Sequence, residues 1–258
     1  MFLTFIVCLF AGIGAGFGTG IAGMSAAAVI SPMLITFLGV DPYEAVGIAL
    51  ASDVLASAAS AYTYKKNGNL DVKNGIVMMI SVMAFTVFGS FAASYLPKTT
   101  MGNFSMFMTL MMGIKFIVKP VMAAKERNLK RTKKQAVIQS IACGIPIGLI
   151  CGIVGAGGGM MMLLVLVSVI GYELKTAVGT SVFIMTFTAL TGAVSHFAIG
   201  NGITDYSVLV LCVIFTLVTA QITAKFANKA SPKTMNRALG FGLSALSIAM
   251  IVFQVITK

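Results

Sequence analysis

One carboxylate, Asp53, stands in the middle of an apolar stretch, with Ser52, Ser57 and Ser60 beside it and no basic residue near it in sequence. An ionisable group at that depth is by default a functional group, and the chemistry open to it is relaying a proton or binding a cation. The single histidine, His196, lies near the end of another apolar stretch. Its ring titrates close to neutral pH, which suits proton or ion coupling, and an interfacial structural role is the alternative. Catalysis or metal binding needs carboxylates, histidines or thiols that converge. No such cluster is visible, so the sequence predicts no enzyme, no metal site and no cofactor. Cys8, Cys143, Cys151 and Cys212 all fall inside apolar segments and read as small core residues.

Glycine supplies the second kind of chemistry. Gly12, Gly16, Gly20 and Gly23 recur as Gly144, Gly148, Gly152 and Gly155. Glycines four apart make a flat helix face that another helix can approach closely. The later glycines, Gly155, Gly157, Gly158 and Gly159, are too dense for a stable helix. They and their counterpart, Gly23, Met24 and Ser25 with Ala26 and Ala27, predict breaks between a first helix and a short second one. Non-helical backbone at membrane depth survives only under protein or beside a water-filled cavity. Its free N–H groups and the positive end of the following helix favour an anion. Hydroxyls from a third segment, Ser52 and Ser57 in one half and Thr180 and Ser181 in the other, can donate to an oxyanion. Bonding back to a carbonyl one turn earlier is the alternative for several of them.

These residues must be held by membrane elements. The chain has 258 residues, of which 58% are apolar and only 10% charged, against about 25% charged in soluble domains. Ten apolar segments can be marked: 2–21, 23–38, 42–64, 74–96, 100–122, 135–153, 158–170, 174–198, 206–228 and 234–256. Most are long enough to cross as helices; 23–38 and 158–170 are short. Asp41-Pro42 reads as the cap and first residue of the third. All six tyrosines fall near segment ends, as in an interfacial belt. No basic region precedes the first apolar run, so a cleaved signal peptide is not expected.

The net charge of +11 does not point to nucleic acid, because the cations cluster in one linker and at the ends of apolar runs. If ten segments cross and the basic linker 123–134 is cytoplasmic, all basic residues except Lys98 and Lys258 fall inside or reach the inner face, and both termini are outside. Counting each glycine-rich pair as one crossing puts 225–237 outside with its cations and is discarded. Re-entrant pairs give the same sidedness as ten spans. A multi-pass protein of the cell membrane follows, with the bilayer as its first partner. The small residues permit a homodimer.

A shift of 132 residues superposes the chain on itself without a gap from Gly12 and Gly144 to Asn69 and Asn201. The domains are therefore a first repeat, 1–122, the linker, and a second repeat, 135–258. Each repeat holds five segments, an odd number, so the two are inverted. The fold class is an all-α polytopic membrane protein with Gly-rich broken or re-entrant helices at the repeat interface. Inverted repeats with broken helices characterise secondary transporters, whose site lies near the midplane. No lysine or arginine lies at mid-depth, so an anionic solute there must be held by dipoles.

The run from Gly148 to Gly159 (Gly-x3-Gly-x2-Gly-x-Gly-Gly-Gly), Gly171, Ala177 to Ser181 and Gly200 to Asp205 resembles the sulfite exporter TauE/SafE family. The first half repeats the pattern more loosely, with Pro32 and the run 65–71, and departs from it at Ser25, Ala26 and Ala27. The resemblance covers nearly the whole chain. It implies export of sulfite or a small organosulfonate by a secondary mechanism that can use the proton gradient, with no catalysis. Alternating access is the expected mechanism; an anion channel, or a carrier of a non-sulfur anion, is the alternative. Cysteines introduced in 123–134 are expected to react with a membrane-impermeant maleimide only from the cytoplasmic side, in sealed vesicles of each orientation.

Overall fold

The computed structural model describes residues 2–97, 133–155, 158–200 and 202–231, with isolated positions in 107–118 and 233–248. The segments expected at 100–122 and 234–256, linker residues 123–132 and Gly157 lie outside the described residues apart from those positions. The rest is helical: α1 (Phe2–Ala22), α2 (Ala27–Leu38), α3 (Pro42–Lys66), α4 (Val72–Ala93), α5 (Lys133–Val154), α6 (Gly158–Val165, continued by a π-helical turn, Leu166–Ile170), α7 (Leu174–Ile199) and α8 (Tyr206–Lys229). No strand occurs among the described residues. Six of these helices, α1, α3, α4, α5, α7 and α8, are long and apolar enough to cross a membrane. At 1.5 Å per residue, the 12 residues of α2 reach about 18 Å. That is well short of a hydrocarbon core of about 30 Å.

Local signals account for the ends. Asp41 caps α3, accepting from Tyr43 N–H at 3.0 Å with Pro42 at the first turn. Asp71 caps α4 and Asp205 caps α8 in the same way. Gly39 and Gly171, both left-handed, terminate α2 and the π-helical turn, and their N–H groups reach back to Leu34 O and Leu166 O. Large apolar side chains such as Phe88, Phe91, Val194, Val218 and Ile222 face outward on α4, α7 and α8. Apolar exposure of that kind suits lipid rather than water.

Packing follows the glycine faces. A Cβ on Gly16 of α1 would sit 2.5 Å from Thr216 O of α8, and one on Gly20 would sit 2.8 Å from Ala224 N. On the other pair, a Cβ on Gly148 of α5 would lie 2.5 Å from Val82 O of α4, and one on Gly152 would lie 2.5 Å from Ser90 N. Thus α1 runs parallel to α8 and α5 parallel to α4, each backbone to backbone. Helices α3 and α7 cross antiparallel between them: Gly179 meets Tyr64 and Asn69, Gly192 meets Leu50, and Gly47 meets Phe197. The two contact sets correspond residue by residue. Glycines are related by the shift of 132, while α4 and α8 are related by 134. The change falls in the loop, where Gly68 to Asp71 on one side stands against the two-residue-longer Gly200 to Asp205 on the other. The six left-handed glycines pair accordingly: Gly23 with Gly155, Gly39 with Gly171, and Gly68 with Gly202.

Thr204 N–H donates to Glu44 at 2.7 Å, and Tyr43 OH donates to Ser90 O at 3.0 Å. One end of the bundle therefore gathers the starts of α3 and α8 with the ends of α2, α4 and α7. The opposite end gathers the α3–α4 loop, the start of α7 and the end of α8. There Tyr172 OH donates to Asp71 Oδ2 at 2.7 Å, Asn69 Nδ2 to Asn228 Oδ1 at 2.8 Å, and Lys175 Nζ to Asn228 O at 2.6 Å.

The tyrosine expectation holds in part. Tyr62, Tyr95 and Tyr206 are exposed at helix ends. Tyr64, expected in the same belt, is fully buried and donates to Gly20 O at 3.0 Å, because its helix crosses inside the bundle rather than at its rim.

Burial pushes the Asp71 carboxyl up, but the Asn74 and Tyr172 donors outweigh it and hold it below the ordinary carboxylate value. Burial and the Asp71 carboxylate push the Tyr172 phenol up. A depressed carboxylate contributes stability above its unfolded value, about 3.9, and loses it as pH falls through the lower folded value. A raised phenol contributes below about 10 and loses it as pH rises through the higher folded value. The Tyr172–Asp71 tie should therefore persist between those limits, and Asp71→Asn should lower the melting temperature at pH 7, by an amount that shrinks as pH falls through the lowered folded value. Gly16→Ala and Gly148→Ala should each destabilise the protein by about 1–3 kcal/mol through overpacking, read as lower melting temperatures in detergent.

Candidate functional site

The two helix breaks meet. Gly23 and Gly155 both take the left-handed conformation that ends the first helix of each pair. Their N–H groups donate to Thr19 O at 2.9 Å and Cys151 O at 2.8 Å. A Cβ on Gly159 would lie 2.8 Å from Ser25 N and 3.1 Å from Met24 C, and one on Gly155 would lie 2.8 Å from Ala27 Cβ. A Cβ on Gly23 would collide with Ser181 Oγ, and one on Gly158 with Cys151 Cβ at 2.9 Å. These contacts explain the glycine density. The second break is narrower than its glycines suggest, since Gly158 and Gly159 already belong to the first turn of α6. They are small because the other break lies against them.

Asp53 stands at this meeting place, halfway along α3 and fully buried. Its Oδ1 accepts from Ser57 Oγ at 2.8 Å and, at longer range, from Thr19 Oγ1 at 3.5 Å. Thr19 also donates to Met24 O at 2.9 Å, and the Ser25 hydroxyl accepts from Ala27 N–H at 3.3 Å. Ser25 and Ala26, at the start of α2, face the carboxylate more loosely. Oδ2 has no hydrogen-bond partner, and no salt bridge reaches Asp53 among the described residues. Desolvating a bare carboxylate costs several kcal/mol. A hydrogen bond to a charged group returns about 1.5–3 kcal/mol. The geometry therefore has room for one more interaction at Oδ2, from a proton or a cation.

The expected site residues divide on the structure. Gly23, Met24, Ser25, Ser57, Gly155, Gly158, Gly159 and Ser181 come together with Asp53 around the breaks. Ser181 nonetheless donates to Val178 O at 2.8 Å, and Ser52 to Ile48 O at 2.9 Å, so both hydroxyls are bonded back along their own helices. Thr180 lies apart: its hydroxyl accepts from Asp71 N–H at 3.1 Å, near the α3–α4 loop. His196 is buried rather than interfacial. Its Nε2 lies 2.8 Å from Gly152 O and its Nδ1 3.1 Å from Tyr43 O. Sequence reading missed Thr19, Tyr43 and Tyr64. Tyr64 had a usable signal, because the shift of 132 carries it onto His196.

A cavity of about 310 Å³ sits at the end of the bundle that holds His196. Asp41, Glu44, Ser94, Ile199 and Thr204 line it, with Tyr43 and His196. No group of three or more candidate metal ligands occurs among the described residues.

A helical bundle with lipid-facing apolar sides and a buried polar centre built on paired helix breaks defines a polytopic membrane protein of the transporter class. The comparisons place it more narrowly. Residues 8–250 match the family model "Sulfite exporter TauE/SafE", and the chain belongs to that family. Its relatives include the probable membrane transporter protein YdhB of Bacillus subtilis, 22% identical, with 91% of this chain and 94% of that protein covered. A probable membrane transporter protein of Haemophilus influenzae is 27% identical, covering 98% and 99%. One of Methanocaldococcus jannaschii is 25% identical, covering 90% and 89%. No solved structure matches the chain. Gly23→Ala is expected to cost more stability than Gly39→Ala, though both glycines are left-handed, because only Gly23 also meets a side chain where a Cβ would stand; paired thermal melts measure the difference.

Proposed function

We propose that the protein is a secondary transporter, working as an exporter, of a small sulfur-containing anion such as sulfite or an organosulfonate. The family model's description supports the substrate class. The observation that carries the transport reading is the contact between two helix breaks around one buried, incompletely partnered carboxylate. A merely structural break would be cheaper as continuous helix.

The transport path runs between two repeats of opposite orientation. Three features support this: the pairing of the left-handed glycines, the parallel contacts of α1 with α8 and α5 with α4, and the antiparallel crossing of α3 on α7. In this arrangement we read α1–α2 and α5–α6 as re-entrant pairs, because their breaks lie against each other and α2 is too short to cross. The end carrying Tyr172, Asp71 and Lys175 is cytoplasmic by the distribution of positive charge, and the cavity faces outward. Alternating access then rocks one set of helices against the other, closing the cavity as the Tyr172–Asp71 and Lys175–Asn228 ties release. The anion is held by Gly155 to Gly159, with Gly157 and the start of α6, rather than at the start of α2, where the protein's own carboxylate already faces the helix end. Asp53 is the coupling site, taking a proton or a cation at Oδ2 in each cycle.

The test is flux in proteoliposomes. Sulfite or sulfoacetate export should saturate, respond to an imposed proton or sodium gradient, and fall at least tenfold in Asp53→Asn while the purified variant still melts cooperatively. Unsaturable current, or flux indifferent to every sulfur oxyanion, would remove the proposed substrate or mechanism.

A further inference from the structure

The helix ends that close the two glycine-faced helices are tied in parallel ways, with one chemical difference. Tyr64 OH donates to Gly20 O at 3.0 Å in the last turn of α1. At the equivalent place, His196 Nε2 faces Gly152 O at 2.8 Å in the last turn of α5. The tyrosine carries one fixed donor and makes one bond. The imidazole makes two, because Nδ1 faces Tyr43 O at 3.1 Å, with the Tyr43 ring packed at 4.2 Å between centroids. Both facing atoms are backbone carbonyls, which accept and cannot donate. A neutral imidazole has one N–H and one bare nitrogen, so in that form one nitrogen would point its lone pair at a carbonyl oxygen. Only the doubly protonated ring satisfies both contacts.

Burial works against a charged ring, and the neighbouring helix ends and carboxylates work for it. His196 lies in the last turn of α7 and abuts the last turn of α5, two helix ends that favour a cation. The start of α3 opposes this, but carries Asp41 as its cap and Glu44 in its first turn, and both line the cavity with His196. From the end of α4 and the residues after it, the cavity-lining Ala93, Ser94 and Leu96 bring no charge. We propose that His196 is a proton-binding site filled from the 310 Å³ cavity, and that the bound proton ties the end of α5 to the start of α3. Loss of the proton releases one of the two carbonyls and loosens the floor of the cavity. The equivalent tie at Tyr64 is insensitive to pH. The inference rests on the transport reading only for its use in a cycle; the proton's place does not depend on it.

His196 is the only histidine in the chain, so nitrogen NMR of the full-length protein labelled with ¹⁵N-histidine reports one imidazole. Two protonated ring nitrogens at pH 7.5, a unit above the usual histidine value of about 6.5, are expected, with Glu44→Gln moving the midpoint down. One protonated and one bare nitrogen at pH 7.5 overturns the proposal, whatever the transport assays show. Where sulfite flux is measurable, its pH profile between 6 and 9, taken relative to each protein's own flux at pH 6, should flatten in His196→Tyr. An unchanged pH profile in His196→Tyr would refute the coupling, and absence of flux in the wild type would count against the transport reading alone.

Discussion

A lipid bilayer offers backbone N–H and C=O groups no water, so every interruption of a helix inside it must be covered by protein or face a cavity. Two interruptions occur among the described residues, at residues 23–26 and at Gly155, and much of the structure can be understood as the means of covering them. Each lies against the other, which is why Gly159 can have no side chain. The α1–α8 and α5–α4 contacts, backbone to backbone through glycine, bring each broken pair close against a continuous helix. Helices α3 and α7 cross between and close the centre. Were either glycine face bulky, the flanking helices would stand off and the interrupted backbone would lose its cover.

The same constraint produces the polar centre. The positive end of α2 attracts a negative group, and Asp53 faces it from the middle of α3. Ser57 and Thr19 complete part of its shell and leave one oxygen without a partner. The first break is therefore self-neutralised, while the second has no carboxylate at the corresponding place, since the shift of 132 puts Met185 opposite Asp53. Two breaks that correspond in their left-handed glycines, Gly23 and Gly155, thus differ in charge where they meet. That difference is what lets one break couple to a cation or proton and the other receive an anion in the proposed cycle.

The two ends of the bundle differ as well. One is knitted by side chains from both halves: Tyr172 on Asp71, Asn69 and Lys175 on Asn228. The other holds a cavity with two carboxylates and a histidine. Tyr64 and His196 occupy matching positions beneath these ends, and replacing a phenol by an imidazole converts a fixed tie into a titratable one.

Composition and periodicity alone settled the membrane class, the positions of the long helices to within a few residues, and the capping of α3 by Asp41 with Pro42. They also showed which glycines correspond, because small residues at fixed spacing leave a signal that no loop can blur. Asp53 was legible for the same reason, being a charge where the surroundings forbid one. Tertiary structure alone decided which hydroxyls reach the centre. Ser57 points at Asp53 whereas Ser52 bonds back to its own helix, and Thr180 serves a loop, a choice made by helix rotation and neighbouring backbone rather than by residue type. It also decided that Tyr64 and His196 are interior, since nearness to a helix end says nothing about which side of that end is covered. The change of register from 132 to 134 was hidden in a loop whose sequence matches at both ends but whose length differs by two residues.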